Sequence, residues 1–111
     1  MSQKDARKTP RRARAVSLRV KGQDAEGHTF IDEASTLVVN WNGALITTIR
    51  PLSGGQTILM LNRENNKEAT FRVVGMRTDK MAETGGWGVE CLEPEQDIFD
   101  LGPVDASNSD A

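Results

Sequence analysis

Two arginines near the amino end, Arg7 and Arg11, have the spacing best suited to ligand chemistry. A guanidinium group can bind a phosphate through two hydrogen bonds, contact the O6/N7 edge of guanine, or stack on a base. Pro10 lies between them and disfavours a helical conformation at Thr9, so both side chains should project from an extended segment. The pair predicts recognition of an anionic, phosphate-bearing ligand.

A second candidate site lies at a predicted turn, Asn40-Trp41-Asn42-Gly43. Asparagine and glycine tolerate the positive φ angles of tight turns, and the amides of Asn40 and Asn42 can both donate and accept hydrogen bonds. Trp41 has two interpretations: it stacks on a base or binds a protein, or it folds back over the protein as a lid. The turn therefore offers hydrogen-bonding groups beside one large aromatic ring.

Groups that commonly perform catalysis are scarce. His28 is the only histidine and falls in a predicted surface turn, while Cys91, the only cysteine, falls where a small buried residue is expected. One histidine and one cysteine cannot form a usual zinc site. The glycine clusters lack the Lys-Ser/Thr that completes a phosphate loop. The sequence predicts a binding protein, not an enzyme, with no metal and no cofactor.

The charge is distributed unevenly along the chain. Residues 1–22 carry eight basic side chains and one acidic one, whereas the remainder carries six basic and fifteen acidic side chains. A basic arm on an acidic body favours an anionic partner, although the arm could instead dock on its own body or stay solvated. The acidic body and the absence of aromatic residues from the arm argue against DNA or RNA as partners.

Apolar residues at every second position predict the strands that must hold these groups. Val16, Leu18 and Val20, for example, alternate with polar residues. Several such segments separated by turn residues predict an all-β fold, a six-stranded antiparallel β-barrel. The six predicted strands cover residues 14–21, 29–40, 44–49, 56–61, 69–77 and 87–92.

The chain divides into a predicted flexible basic arm (1–13), a barrel domain (14–101) and a disordered tail (102–111). Within the barrel domain, Pro94 to Leu101 should form one short helical turn that carries Ile98, Phe99 and Leu101 onto the barrel mouth. No apolar run is long enough to span a membrane, and no signal peptide follows the basic amino end. We therefore expect a cytoplasmic protein with no membrane partner.

The ordered set of these segments resembles the PilZ domain, a bacterial receptor module for cyclic di-GMP. The first motif of that family, R-x-x-x-R before the first strand, is matched by Arg7 and Arg11. The second motif, [D/N]-x-S-x-x-G, is matched at Gly43, with Asn40 in place of Ser and Val38 in place of Asp or Asn. The similarity extends from residue 7 to about residue 101 through Ala44-Leu45-Ile46, Pro51-Leu52, Phe71-Arg72-Val73-Val74 and Gly88-Val89-Glu90-Cys91-Leu92.

The resemblance implies a PilZ-like split barrel whose basic arm folds over a dinucleotide. Arg7 and Arg11 would contact its phosphate and guanine groups, and Asn40, Asn42 and Gly43 complete the expected ligand-binding set. Asn40 can replace a hydroxyl group, whereas Val38 has no polar atom, and one lost hydrogen bond weakens binding by roughly tenfold to a hundredfold.

Two functions follow from this resemblance. One is a small sensor that binds cyclic di-GMP and couples binding to an unidentified partner protein, through the ordering of its arm. The other is a member of the same fold that lacks ligand binding and acts as a protein–protein adaptor, which the Val38 substitution favours.

Overall fold

The computed structural model describes residues 12–24, 26–78 and 85–102. Strands β2 to β7 form a closed antiparallel barrel in the order β2-β3-β4-β7-β6-β5, and β5 pairs back with β2. This confirms the predicted all-β, six-stranded barrel. The strands are β1 (Arg12–Ala13), β2 (Ser17–Gln23), β3 (Thr29–Asn40), β4 (Gly43–Thr47), β5 (Thr57–Asn62), β6 (Glu68–Arg77) and β7 (Gly86–Cys91), and a 3-10 helix spans Pro94–Gln96.

Two elements lie outside the barrel wall. Strand β1 pairs with the end of β3, with Arg12 opposite Val39 and Ala13 opposite Val38. The 3-10 helix confirms a short helical turn after the last strand, although it ends at Gln96, so that Ile98, Phe99 and Leu101 follow the helix and do not lie on it. Within the described ranges, no helix has the length and apolar character needed to cross a lipid bilayer.

The barrel core is built by the period-two alternation that the sequence shows. In β2, Leu18 and Val20 are at most 1% exposed, whereas Arg19 and Lys21 face solvent. Removing apolar side chains from water is the main source of stability in such a domain. The other strands contribute inward-facing residues in the same way, among them Phe30, Val39, Ile46, Ile58, Met60, Ala69, Phe71, Val73 and Val89.

A β-bulge changes the direction of the side chains near the end of β3. The pairing with β4 shifts register between Thr36 and Val38. Because one extra residue reverses the alternation, Thr36 and Val39 both face inward, and Val38 and Asn40 face the outer wall. The buried Thr36 hydroxyl donates to the Arg14 carbonyl (2.5 Å) and accepts from the Val16 amide (2.8 Å). This contact fixes the segment between β1 and β2 on β3.

Residues 93–102, here called the C-terminal cap, close one end of the barrel. Ile98 and Phe99 are 3% and 4% exposed, and Leu101 packs against the core. The Phe99 ring meets Phe71 edge-on, with ring centroids 6.2 Å apart and an interplanar angle of 61°. The prediction that this segment covers the barrel mouth is confirmed.

Polar contacts from the barrel hold the backbone of the cap. The Arg14 guanidinium donates to the Phe99 carbonyl (2.8 Å), and the buried Asn62 amide donates to the Ile98 carbonyl (2.6 Å). A buried polar side chain such as Asn62 is costly unless it is hydrogen-bonded, so this pairing fixes where the cap lies.

An ion pair at the rim of the C-terminal cap should make the attachment of the cap to the barrel sensitive to low pH. Lys67 Nζ lies 2.6 Å from an Asp100 oxygen and the Asn65 amide donates to the other oxygen at 2.8 Å. These hydrogen bonds, that from Lys67 first, lower the pKa of Asp100. The Asp100 carboxylate therefore stabilises the folded protein at pH values above its pKa in the unfolded chain, which is about 4. This stabilisation is lost as the pH falls through the lower pKa of the folded protein.

At about pH 6, the wild-type protein is expected to have a slightly higher melting temperature than the Asp100→Asn variant. This difference should disappear near pH 2. Thermal unfolding followed by circular dichroism across this range measures the difference. The matched control is Glu95→Gln, an exposed residue on the same cap. A difference between wild type and Asp100→Asn that does not change with pH would contradict the prediction.

Candidate ligand-binding groove

A groove of about 420 Å³ lies on the outer wall of the barrel, across β3, β4, β7 and β6. The predicted residues Asn40, Asn42 and Gly43 all line it, and they cluster at the β3–β4 hairpin. The structure therefore brings together the three described members of the predicted ligand-binding set. Arg7 and Arg11 lie outside the described residues.

The floor of the groove is apolar. Val38 on β3, Leu45 on β4 and Gly88 on β7 are successive partners across the three strands. Val38 is 3% exposed and Leu45 is 6% exposed, although neither belongs to the inward-facing core. An apolar floor beside polar groups suits a flat ligand with an apolar face, such as a nucleobase.

One end of the Asn40 side chain is hydrogen-bonded within the β3–β4 hairpin. Its Oδ1 accepts hydrogen bonds from the backbone amides of Asn42 (2.9 Å) and Gly43 (2.8 Å). An asparagine that bonds the backbone ahead of it forms a turn that closes the hairpin. Its Nδ2 group has no hydrogen-bond partner within the described part of the chain, so Asn40 can act toward a ligand as a donor.

Gly43 is required by the close approach of two strands. A Cβ atom at this position would lie 2.0 Å from the carbonyl oxygen of Val89, which belongs to the neighbouring strand β7. The glycine that matches the second family motif therefore has a structural role, since it lets β4 reach β7 at the end of the groove.

Trp41 lies at the hairpin but is held against the C-terminal cap. Its Nε1 group donates to the Gly102 carbonyl, and its ring lines a small cavity with Phe99 and Leu101. Of the two interpretations of Trp41, the structure supports folding back over the barrel end.

Strand β1 lies beside the end of β3 that carries the second candidate motif. Arg12 pairs with Val39, one residue before Asn40, and the N–H of Arg14 donates to the Leu37 carbonyl at 3.2 Å. The polypeptide that carries Arg7 and Arg11 therefore joins the barrel beside Val38 and Asn40. Arg12 and Val39 are far apart in the sequence, so only the strand pairing brings these two residues together.

The described lining of the groove contains one acidic and one basic side chain, and only the acidic one has an ion-pair partner among the described residues. Glu90 lines it and pairs with Arg72, whose Nη2 lies 3.2 Å from Oε1. Arg77 also lines it, and among the described residues Arg77 has no ion-pair partner. Sequence reasoning missed Arg77 because β6 shifts register between Val73 and Gly75, so alternation counted from the core cannot place residues beyond the shift.

A group of possible metal ligands lies at the β2–β3 turn, away from the groove. Oxygen or nitrogen atoms of Asp24, Glu26 and His28 lie within 4.8 Å of one another. Asp24 Oδ1 already accepts from the backbone amides of Glu26 (3.0 Å) and His28 (2.9 Å), so turn formation accounts for this arrangement. His28 lies at the surface, as predicted, with 79% of its side chain exposed.

Cys91 packs against the core beside Val89 but is only half-buried. Burial raises the pKa of its thiol, with acidic neighbours adding to the effect against an opposing backbone hydrogen bond from Glu93. A raised pKa disfavours the thiolate form that acts as a nucleophile. The environment of Cys91 therefore gives no support to a catalytic role.

Comparisons with known proteins do not add to this description. No protein-family model, no curated protein and no solved structure matches the chain at a significant level. The case for a function therefore depends on the barrel, the groove and the motifs themselves.

Proposed function

We propose that this protein is a PilZ-type sensor that binds cyclic di-GMP in the outer groove and presents the ligand-bound surface to a partner protein. It acts as a binding module, not as an enzyme. The observation that carries the proposal is the pairing of β1 with β3, which joins the arginine-bearing segment to the barrel beside Asn40.

Covalent reach supports the participation of both arginines. Arg11 is bonded to Arg12, and five residues of extended chain from Arg12 to Arg7 span at most about 17 Å. The groove crosses β3, β4, β7 and β6, and β1 lies on the side of β3 away from β4, so four interstrand spacings, about 19 Å, separate β1 from β6. Arg7 can therefore approach a ligand over most of the groove, whereas Arg11 can approach it only at the β3 side.

The composition of the groove suits a nucleotide. The exposed side chain of Val74 in the groove can pack against the face of a base, and the Nδ2 group of Asn40 can donate to a carbonyl or phosphate oxygen. Phosphate charge would be met by the guanidinium groups of the arm, in bidentate hydrogen bonds. Ordering of the arm over the ligand would then create a new surface for a partner.

Val38 favours a second function, that of an adaptor without a ligand. Its side chain is apolar at the motif position where the family has Asp or Asn, so it cannot form a hydrogen bond to a ligand there. The groove is also lined by Val74, which is 45% exposed and can equally be covered by a protein. Titration with cyclic di-GMP separates the two functions.

Isothermal titration calorimetry of the full chain with cyclic di-GMP should show saturable binding. Arg7→Ala and Arg11→Ala should each weaken it by roughly tenfold to a hundredfold, because each removes charged hydrogen bonds to the ligand. Lys4→Ala is the matched control, since it removes a positive charge from the same segment outside the motif.

The control decides between recognition and general electrostatics. If Lys4→Ala weakens binding as much as the arginine variants do, the arm acts only through its net charge, and affinity should fall steeply with salt. If wild-type protein produces no heat at hundreds of micromolar ligand, the sensor proposal fails and the adaptor function remains.

A further inference from the structure

The side chain of Arg77 lies across two facing glycines at the end of the groove. Gly75 on β6 pairs with Gly88 on β7. A Cβ atom on Gly88 would lie 2.9 Å from Arg77 Cγ, and one on Gly75 would lie 3.7 Å from Nη1. Because neither glycine has a side chain, the Arg77 side chain has space to lie against both of them.

Most of the hydrogen-bonding capacity of Arg77 is unused by the described residues. Its Nη1 donates to the Met76 carbonyl (2.9 Å), whereas a guanidinium group has five N–H donors. The acidic residue that lines the same groove, Glu90, pairs with Arg72. No ion pair with a described residue therefore neutralises the Arg77 guanidinium group, on a chain whose net charge is −2. A local charge of this kind concentrates anions at one place on an acidic surface.

We infer that Arg77 is the anion-binding residue of the barrel itself, which holds a phosphate or the O6/N7 edge of a base at the β6 end of the groove. The inference rests on the proposed function. Arg77 on β6 would make the polar contact with the ligand that Val38 cannot make. Val38 and Gly88 are two strands apart, which is about 10 Å. A base lying over Leu45 would therefore have Val38 on one side and Arg77 on the other.

The test is calorimetric titration of full-length variants with cyclic di-GMP. Arg77→Ala should weaken binding by about tenfold to a hundredfold, and Arg77→Lys should recover only part of the loss, because lysine keeps the charge but lacks the planar fork. The matched control is Arg19→Ala, an exposed arginine of β2 that also has no ion-pair partner among the described residues and does not line the groove. Its affinity should stay within about twofold of wild type.

A second variant tests the position of Arg77 without removing its charge. Gly88→Ala should displace the Arg77 stem and weaken binding by several-fold in the wild-type background. In the Arg77→Ala background the same substitution should have no further effect on affinity, because the group that it displaces is absent. Thermal unfolding of each variant shows whether the compared proteins are equally folded.

Each outcome gives a clear decision. Wild-type binding that Arg77→Ala leaves unchanged overturns the inference but leaves the proposed function in place. Equal losses in Arg77→Ala and Arg19→Ala also overturn it, because position in the groove would then be irrelevant. Failure of wild-type protein to bind cyclic di-GMP overturns the proposed function and, with it, this inference.

Discussion

Replacement of Gly43 with valine is expected to lower the free energy of unfolding by about 3 kcal/mol or more. Even the first side-chain atom would lie 2.0 Å from the Val89 carbonyl oxygen. That oxygen belongs to the backbone of β7, so it cannot rotate away as a flexible side chain would. Strands β4 and β7 would have to separate where they close the barrel, in a domain whose total stability is about 5–15 kcal/mol.

Gly27→Ala is the control for the effect of glycine substitution in general. Gly27 has a φ of +85°, and an added Cβ would have no neighbour within 4 Å. Its replacement should cost about 1–2 kcal/mol, from the left-handed backbone conformation alone. Urea denaturation of both variants measures the comparison. If Gly43→Val costs no more than Gly27→Ala, the close approach of β4 and β7 is not what requires glycine at position 43.

Phe99→Ala is expected to destabilise the protein by about 3–4 kcal/mol, which is the usual cost of removing a buried phenylalanine side chain. Phe99 is 4% exposed and lies edge-on to Phe71, so the substitution leaves a cavity under the C-terminal cap and removes an aromatic pair. Because Trp41 donates to Gly102 in the same cap, its fluorescence should report loosening of this segment.

The matched control for Phe99 is Ile49→Ala. Ile49 is also a large apolar side chain but is 95% exposed, and its truncation should change stability by no more than about 0.5 kcal/mol. Thermal and urea unfolding provide the comparison, and Trp87→Phe in each background isolates the Trp41 signal. A loss for Phe99→Ala as small as that for Ile49→Ala would show that the cap is not part of the folded core.

The sequence by itself determined the strands and the end of the barrel. Leu18 and Val20 on β2 or Ile58 and Met60 on β5 alternate with more exposed residues, and this pattern depends only on the geometry of an extended chain. The covering of the barrel mouth by Ile98 and Phe99 was also predictable, because apolar residues after the last strand must be buried somewhere. Local periodicity was sufficient for these predictions.

The tertiary structure alone decided what the candidate site contains. The bulge in β3 directs Val38 and Asn40 to the outer wall, and the register shift in β6 precedes Arg77. Such shifts are set by pairing with distant strands, so alternation along one segment cannot locate them. The steric requirement at Gly43 likewise arises from Val89, 46 positions later in the sequence. Residue types indicated which chemistry was present, whereas long-range pairing determined which groups meet.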